Sequence, residues 1–317
     1  MSSGRGEAVL VMYGYSRRSS PSWRHRTRDG MASFDALDRE YVPDPDWPRR
    51  PHEMIWPDVC VVGIGPEDHV HVLCRGLRPL LIFPSDERLL AVPEAGVIAR
   101  PLGGWVRPDQ SWLITDEGMH ALVVLSRTGE AIVRIGGPSS SPFNRPQGVA
   151  VASSGDLHVG DGNARVHRFN RRACWPRSWG EPGPGPARLR LPQRIHVDAR
   201  GRVWIADWAD SRLRVCKHDG SLMHVIEGFE GPAGIAMDCE GVVFVAEEEW
   251  RVSMLDQDMR IVARWDSRAL PMAARSFVAP HCIAVDSNGD LYVGEVAKAY
   301  RGVSRGPRAL QKLRRTR

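Results

Sequence analysis

The stretch "PHCIAVDSNGDLYVGEV", Pro280 to Val296, decides the fold because it recurs along the chain. A proline opens a short apolar run, an Asp-Ser-Asn-Gly tetrad turns the chain, and a second apolar run follows. Proline is tolerated at the first residue of a strand, where a missing N–H costs little. Glycine supplies the positive φ of the tight turn, and the β-branched and aromatic residues of the second run suit a buried strand. Four earlier segments repeat this order: "PLGGWVRPDQSWLITD" from Pro101, "PQGVAVASSGDLHVGD" from Pro146, "PQRIHVDARGRVWIAD" from Pro192 and "PAGIAMDCEGVVFVAE" from Pro232. In all five, one strand position follows the proline by 13 residues: Ile114, Val159, Ile205, Val245 and Val293. A looser copy, "VCVVGIGPEDHVHVLCRG", puts Val72 in that role, so successive anchors lie 42, 45, 46, 40 and 48 residues apart.

Each period holds more than a hairpin. "ARVHRFN", "SRLRVCKHDG" and "WRVSMLDQD" read as third strands, and "MHVIEGF" and "RIVARW" as fourth, edge strands. Four antiparallel strands repeated six times make an all-β, six-bladed β-propeller. The spacing places the propeller at residues 45–317, behind a flexible N-terminal tail and leader over 1–44. No helical period runs through the repeats, and the Pro-rich "YVPDPDWPRRP" favours extended backbone, so almost no helix is expected.

Composition narrows the function classes. No apolar run reaches the length of a membrane helix, which predicts no membrane partner, and "AVLVMYGY" lacks the form of a secretory signal. Residues 1–30 are rich in Arg and Ser, as a mitochondrial presequence can be, but Met31 opens a stretch that reads as the ordinary start of a folded chain. Six cysteines stand singly at 60, 74, 174, 216, 239 and 282 with no C-x-x-C, which speaks against a zinc knuckle and for reduced thiols, hence a cytoplasmic protein. The net charge is +5. Residues 301–317 carry Arg301, Arg305, Arg308, Lys312, Arg314, Arg315 and Arg317 without an acid, a tail that can bind nucleic acid but reads first as a solvated end.

The repeat resembles the NHL type, and the order of motifs resembles the peptidyl-α-hydroxyglycine α-amidating lyase family, above all its bacterial relatives. "VHVLCRGLRPLLIF", "SPFNRPQGVAV", "VGDGNARVHRF", "IADWADSRLRV" and "PHCIAVDSNGDLYVGEV" carry the resemblance, over roughly residues 45–315. It implies a lyase that releases a peptide amide and glyoxylate, a zinc held by three histidines that each follow a proline, and a structural calcium. Carried over residue by residue, the first-blade arginine is Arg75. The three zinc positions fall on Leu102, Gln193 and His281. The family's D-G-Y-x-N motif is reduced to Asp161-Gly162-Asn163, and a further active-site arginine is replaced by Trp208. Leu102 cannot ligate, and Gln193 offers only a neutral amide oxygen. Zinc is therefore disfavoured, and metal binding by His281 is the second reading of that residue.

What remains is a tunnel mouth. The residues after the prolines are Leu102, Gln147, Gln193, Ala233 and His281, with Arg75, Asp161, Trp208 and Glu295 close by. This set predicts binding of a small molecule or peptide, with Arg75 and His281 as the candidate catalytic groups and Leu102, Gln147, Asp161, Gln193, Trp208 and Glu295 lining the ligand site. An active amidating lyase with a rebuilt metal centre, and a platform for protein or RNA, are the alternatives. His69 and His71 alternate on one strand and share a face; these, with His158 and His196, read first as packed or surface residues, and His120 as structural. Glu247, Glu248 and Glu249 read as a solvated turn. Neither a nucleophile elbow nor a phosphate-cradling loop is present.

Overall fold

In a computed structural model, the described residues are 27–28, 31–32, 34–48, 57–76, 80–84, 89–91, 98–137, 139, 142–170, 177–183, 185, 188–268 and 276–317. Residues 1–26, including Met1 of the longer start, and Cys174 lie outside them. Six antiparallel sheets form around one axis. Their inner strands are Val59–Ile64, Pro101–Val106, Pro146–Val151, Pro192–Val197, Pro232–Met237 and Pro280–Val285. Each inner strand packs against the next, and the sixth packs against the first, which closes the ring. The all-β six-bladed expectation holds, and α-helix among the described residues amounts to the five-residue turn Ala297–Arg301.

The repeated tetrads form tight turns. Asp198 Oδ1 accepts the amides of Arg200 and Arg202, and Asp238 and Asp286 do the same in their own hairpins. Gly201, Gly241 and Gly289 then sit at φ 73°, 81° and 85°, where a side chain would be strained. Between blades, apolar side chains form the core; Ile114, Val159, Ile205, Val245 and Val293, the repeat anchors, are all fully buried.

A second regularity concerns the acid at the end of the second strand. Each proline pairs with it: Pro101 with Asp116, Pro146 with Asp161, Pro192 with Asp207, Pro232 with Glu247 and Pro280 with Glu295. The side chain of that acid reaches back to backbone amides just before the proline. Asp116 takes those of Ala99 and Arg100, and Asp161 that of Asn144. Asp207 takes Arg190 and Leu191, Glu247 takes Glu230, and Glu295 takes Val278 and Ala279. In the first blade Cys74 occupies this position and pairs with Val59. The pairing then slips by a residue after every proline, a β-bulge that leaves the next residue outside the ladder.

The last blade takes its fourth strand from the other end of the chain. Leu310–Arg315 pairs with Arg39–Pro43, in the register Leu313 to Pro43, Arg314 to Val42 and Arg315 to Tyr41. Part of the stretch read as leader is therefore built into the propeller. Tyr41 is 1% exposed and packs its ring on Phe244 and Trp265 of the fifth blade, with centroids 5.9 and 5.5 Å away. The basic C-terminal segment is likewise tied in: Arg305 pairs with Glu295, Lys312 with Asp290, Arg314 with Asp44 and Arg315 with Glu240.

The fold generates a stability prediction. Asp207→Ala leaves the amides of Arg190 and Leu191 without their carboxylate, while Arg212 keeps Asp210 at 2.7 Å. Hydrogen bonds to charged groups contribute about 1.5–3 kcal/mol each, so urea melts should show a loss on the order of 3 kcal/mol. Asp219→Ala, in an exposed turn, serves as the control and should cost far less.

Candidate functional site

The bulge after each proline turns one side chain per blade toward the axis. The full ring is Cys60, Leu102, Gln147, Gln193, Ala233 and His281, all buried. Cys60, the contribution of the first blade, escaped the sequence reading because no proline precedes it. A second ring lies just outside. It is made by the residue that follows the closing acid: Arg75, Glu117, Gly162, Trp208, Glu248 and Val296. Each donates its backbone N–H to a carbonyl in the segment leading into its own inner strand: Asp58, Arg100, Arg145, Leu191, Gly231 and Ala279 respectively.

This register sorts the predicted site residues. Arg75, Trp208, Gln193 and His281 are brought together at the mouth. Leu102 is a buried apolar member of the ring, and Gln147 turns its amide onto the carbonyl of Arg145 at 2.6 Å, within its own blade. Asp161 and Glu295 fall one residue short of the second ring. Both are fully buried, and their oxygens are engaged by backbone amides, with His167 3.5 Å from Asp161 and with Gln311 and Arg305 on Glu295. Burial raises the pKa of Glu295, opposed by Arg305 and the two amides.

The residue that organises the mouth is Glu248, which the sequence reading placed in a solvated turn. It is 1% exposed. Its Oε1 lies 2.7 Å from Nδ1 of His281 and accepts the Gln193 amide at 3.2 Å; its Oε2 accepts the Trp208 indole N–H at 2.7 Å. Glu247 beside it is a closing acid, also fully buried, and Glu249 pairs with Arg301 at 2.7 Å. The run of three glutamates thus serves three different purposes.

The contacts fix the His281 tautomer. A carboxylate only accepts, so Nδ1 carries the proton that points at Glu248, and neutral His281 presents a bare lone pair at Nε2. The 3.4 Å approach of the Gln193 amide to the same Nδ1 sets donor against donor and is no hydrogen bond. Nε2 is buried and has no hydrogen-bond partner among the described residues. Tyr300 comes from the helical turn Ala297–Arg301, whose first amides are held by Asp58, at 2.9 Å from Lys298 and 2.8 Å from Ala299. Its ring stands edge-on to Trp208 at 6.3 Å. Burial and then the Glu248 carboxylate hold the Tyr300 phenol well above its ordinary pKa, with Arg75 and Arg301 acting in the opposite sense. A tyrosine is therefore present at the mouth, although it comes from a different loop than the D-G-Y-x-N position.

Comparison with known proteins bears on the repeat and the fold. No family model matches the chain. NHL repeat-containing protein 3 of mouse is 26% identical over 300 residues, 86% of each chain, and the human protein is 28% identical over 199 residues. Peptidyl-glycine alpha-amidating monooxygenase A of Xenopus laevis is 24% identical over 257 residues, 70% of this chain. The chain is an NHL-type propeller resembling the amidating-lyase family. It spans 57% of the human NHL relative and 27% of the frog enzyme. Among solved structures, a gluconolactonase from Xanthomonas campestris superposes with a TM-score of 0.66 at 13% identity, over 94% of this chain and 99% of that one, a likeness of fold alone.

The residues of this NHL-type propeller do not fit the zinc that the resemblance implies. Of the three ring positions, Leu102 has no donor atom, and the Gln193 amide is hydrogen-bonded to Glu248. His281 Nε2 is the one competent ligand atom, against the three that a zinc site with an open position requires. Among the described residues no three His, Cys, Asp or Glu side chains are grouped as a metal would need.

Two further described histidines, His71 and His158, are buried in the packed interior. His71 is fully buried against Trp112, at 5.4 Å between ring centroids, and neither of its nitrogens has a partner. His69 lies 3.7 Å from Glu67, and His120 Nδ1 accepts the Arg145 amide. Burial depresses the pKa of both His71 and His158 from 6.5 to about 4. Unfolded chains therefore take up a proton at each residue below pH 6.5, while the native protein does so only near pH 4. Stability should fall as pH drops through that window, by about 1.4 kcal/mol per pH unit for each residue that stays neutral. Urea melts at pH 7 and pH 5 measure the slope, and His71→Leu should flatten it.

Proposed function

We propose that this propeller binds a small ligand or peptide end at its mouth without zinc, and that the Glu248–His281 pair is the reactive part of the site. The observation that carries the reading is the buried, unpartnered Nε2 of His281, held by Glu248 behind it. A lone pair of this kind is costly to bury without a donor, and it faces a mouth that a ligand can complete. Trp208 and Tyr300 supply an aromatic edge for an apolar body. Arg75, half-buried beside them, supplies a guanidinium suited to a carboxylate. A ligand with a carboxylate, an apolar portion and a hydrogen-bond donor matches these three features, and the end of a peptide has all of them.

The chemistry open to the pair is proton transfer. A donor proton on the ligand would pass to Nε2, and the imidazolium so formed would be stabilised by the Glu248 carboxylate at Nδ1. Tyr300 stays protonated at neutral pH and can donate a hydrogen bond. The resemblance to amidating enzymes supports a peptide ligand, and the loss of two of three zinc positions supports a reaction or binding mode that does not depend on metal. The basic C-terminal segment gives little support to a nucleic-acid partner, because several of its charges face acids of the same chain.

Two measurements test the reading. Elemental analysis of the purified protein should give far less than one zinc per chain, and a stoichiometric zinc removed by chelator together with ligand binding would overturn it. Calorimetric titration with short C-terminally free peptides should show binding that weakens about tenfold or more in Arg75→Ala and in His281→Phe. Equal affinity in all three proteins would reject the mouth as the binding site.

A further inference from the structure

The inner strands carry one residue at odds with their surroundings. The position two after the proline is Gly103, Gly148 and Gly234 in three blades and Val61 and Cys282 in two others, but Arg194 in the fourth. Arg194 is 7% exposed and extends across the axis. Its Nε donates to the carbonyl of Ala233 in the fifth blade at 3.3 Å, and its Nη2 to the carbonyl of Cys60 in the first blade at 3.2 Å. Among the described residues no carboxylate makes an ion pair with it; the titratable groups beside it are the thiols of Cys60 and Cys282. Burial holds those thiols protonated, with the pKa of Cys60 pushed up to about 12.

Arg194 also separates the mouth from a cavity of about 190 Å³ that runs down the axis on the other side. All six blades contribute to its wall, where Val62, Val149, Ile195, Ile235 and Ile283 stand beside the Arg194 and His196 side chains and backbone polar groups. At the far end Trp105, His196 and Met237 are only half-buried, so the cavity opens to solvent there. A buried cation normally has a counter-charge. Two neutral carbonyls orient this one but leave its charge uncompensated.

We propose that the axial cavity is an anion site, in which Arg194 binds a small monoanion of halide or formate size. A planar guanidinium with two N–H groups already fixed by carbonyls offers its remaining N–H groups in a set direction. His196, on the same wall, is neutral at pH 7, since burial lowers its pKa to about 4 with Asp198 acting in the opposite sense, so it can donate a hydrogen bond without adding charge. The site is distinct from the mouth, because Arg194 stands between the two.

Bromide is the probe. Bromide should replace sodium gluconate at fixed ionic strength while the melting temperature of the full chain is followed. That temperature should rise steadily with the logarithm of bromide concentration. In Arg194→Met the rise should vanish. Arg194→Lys, which keeps the charge, should retain part of it and stands in if the methionine variant does not fold. Crystals grown in bromide should show an anomalous peak within hydrogen-bond distance of the guanidinium, absent in the variant crystals. A flat wild-type response, an equal rise in Arg194→Met, or an axial cavity without the peak would overturn the proposal. Peptide binding at the mouth is measured separately, so failure here leaves that reading intact.

Discussion

The structure depends on one repeated contact: a buried acid that ends the second strand of a blade and accepts backbone amides at the entry to the first. The entry segment would otherwise bury N–H groups that no ladder satisfies. Proline removes one such donor, and the carboxylate takes those just before it. The remaining consequences follow from geometry. With the proline locked opposite the acid, the extra residue must bulge out, and the bulge turns its side chain to the axis. The residue after the acid, free of the ladder, ties its N–H to the entry segment and forms a second ring. Fold and site are therefore set by the same hydrogen bonds in the five blades that carry the acid, while the first blade keeps the bulge with Val59 opposite Cys74.

Closure adds a second constraint. The last blade is completed by Arg39–Pro43 from the N-terminal side, so segments about 270 residues apart in sequence are held in a single sheet. Tyr41 anchors that strand in the core between blades five and six rather than at an edge. The basic residues of the C-terminal segment, Arg305, Lys312, Arg314 and Arg315, pair with Glu295, Asp290, Asp44 and Glu240 respectively. Pairing with acids of distant segments turns what reads as a solvated basic end into part of the ring's fastening.

The fold was legible because its signals are periodic. Proline, turn and anchor recur at fixed offsets, and each copy supports the others. The site was legible only where it shares that period. His281, Gln193, Arg75 and Trp208 could be placed by counting from the proline or the acid. Glu248 could not be recognised, because three consecutive glutamates look like a solvated turn, and only the burial of the first two separates a closing acid from a site residue. Counting one position past the acid in every blade would have found it, and would have moved Asp161 and Glu295 from the ligand site to the framework. Tyr300 comes from a loop outside the repeat, so no offset predicts where its ring goes. Arg194 breaks the apolar pattern of an inner strand, a signal present in the sequence but easy to read as an outward-facing residue.

The mouth illustrates how one side-chain geometry can serve two chemistries. An imidazole that donates Nδ1–H to a carboxylate is the usual partner arrangement of a metal-bound histidine, since the carboxylate orients the ring and raises its basicity. The same arrangement leaves Nε2 free to accept a proton when no metal is there. The choice between them depends on how many other ligand atoms converge on the point that Nε2 faces. Leu102 brings none, and the Gln193 amide is drawn to Glu248. A metal at that point would be held by a single imidazole, with affinity far below that of a three-ligand site. A proton requires only the one lone pair. The substitutions at Leu102 and Gln193 thus leave the orienting carboxylate useful and change what it orients the histidine toward.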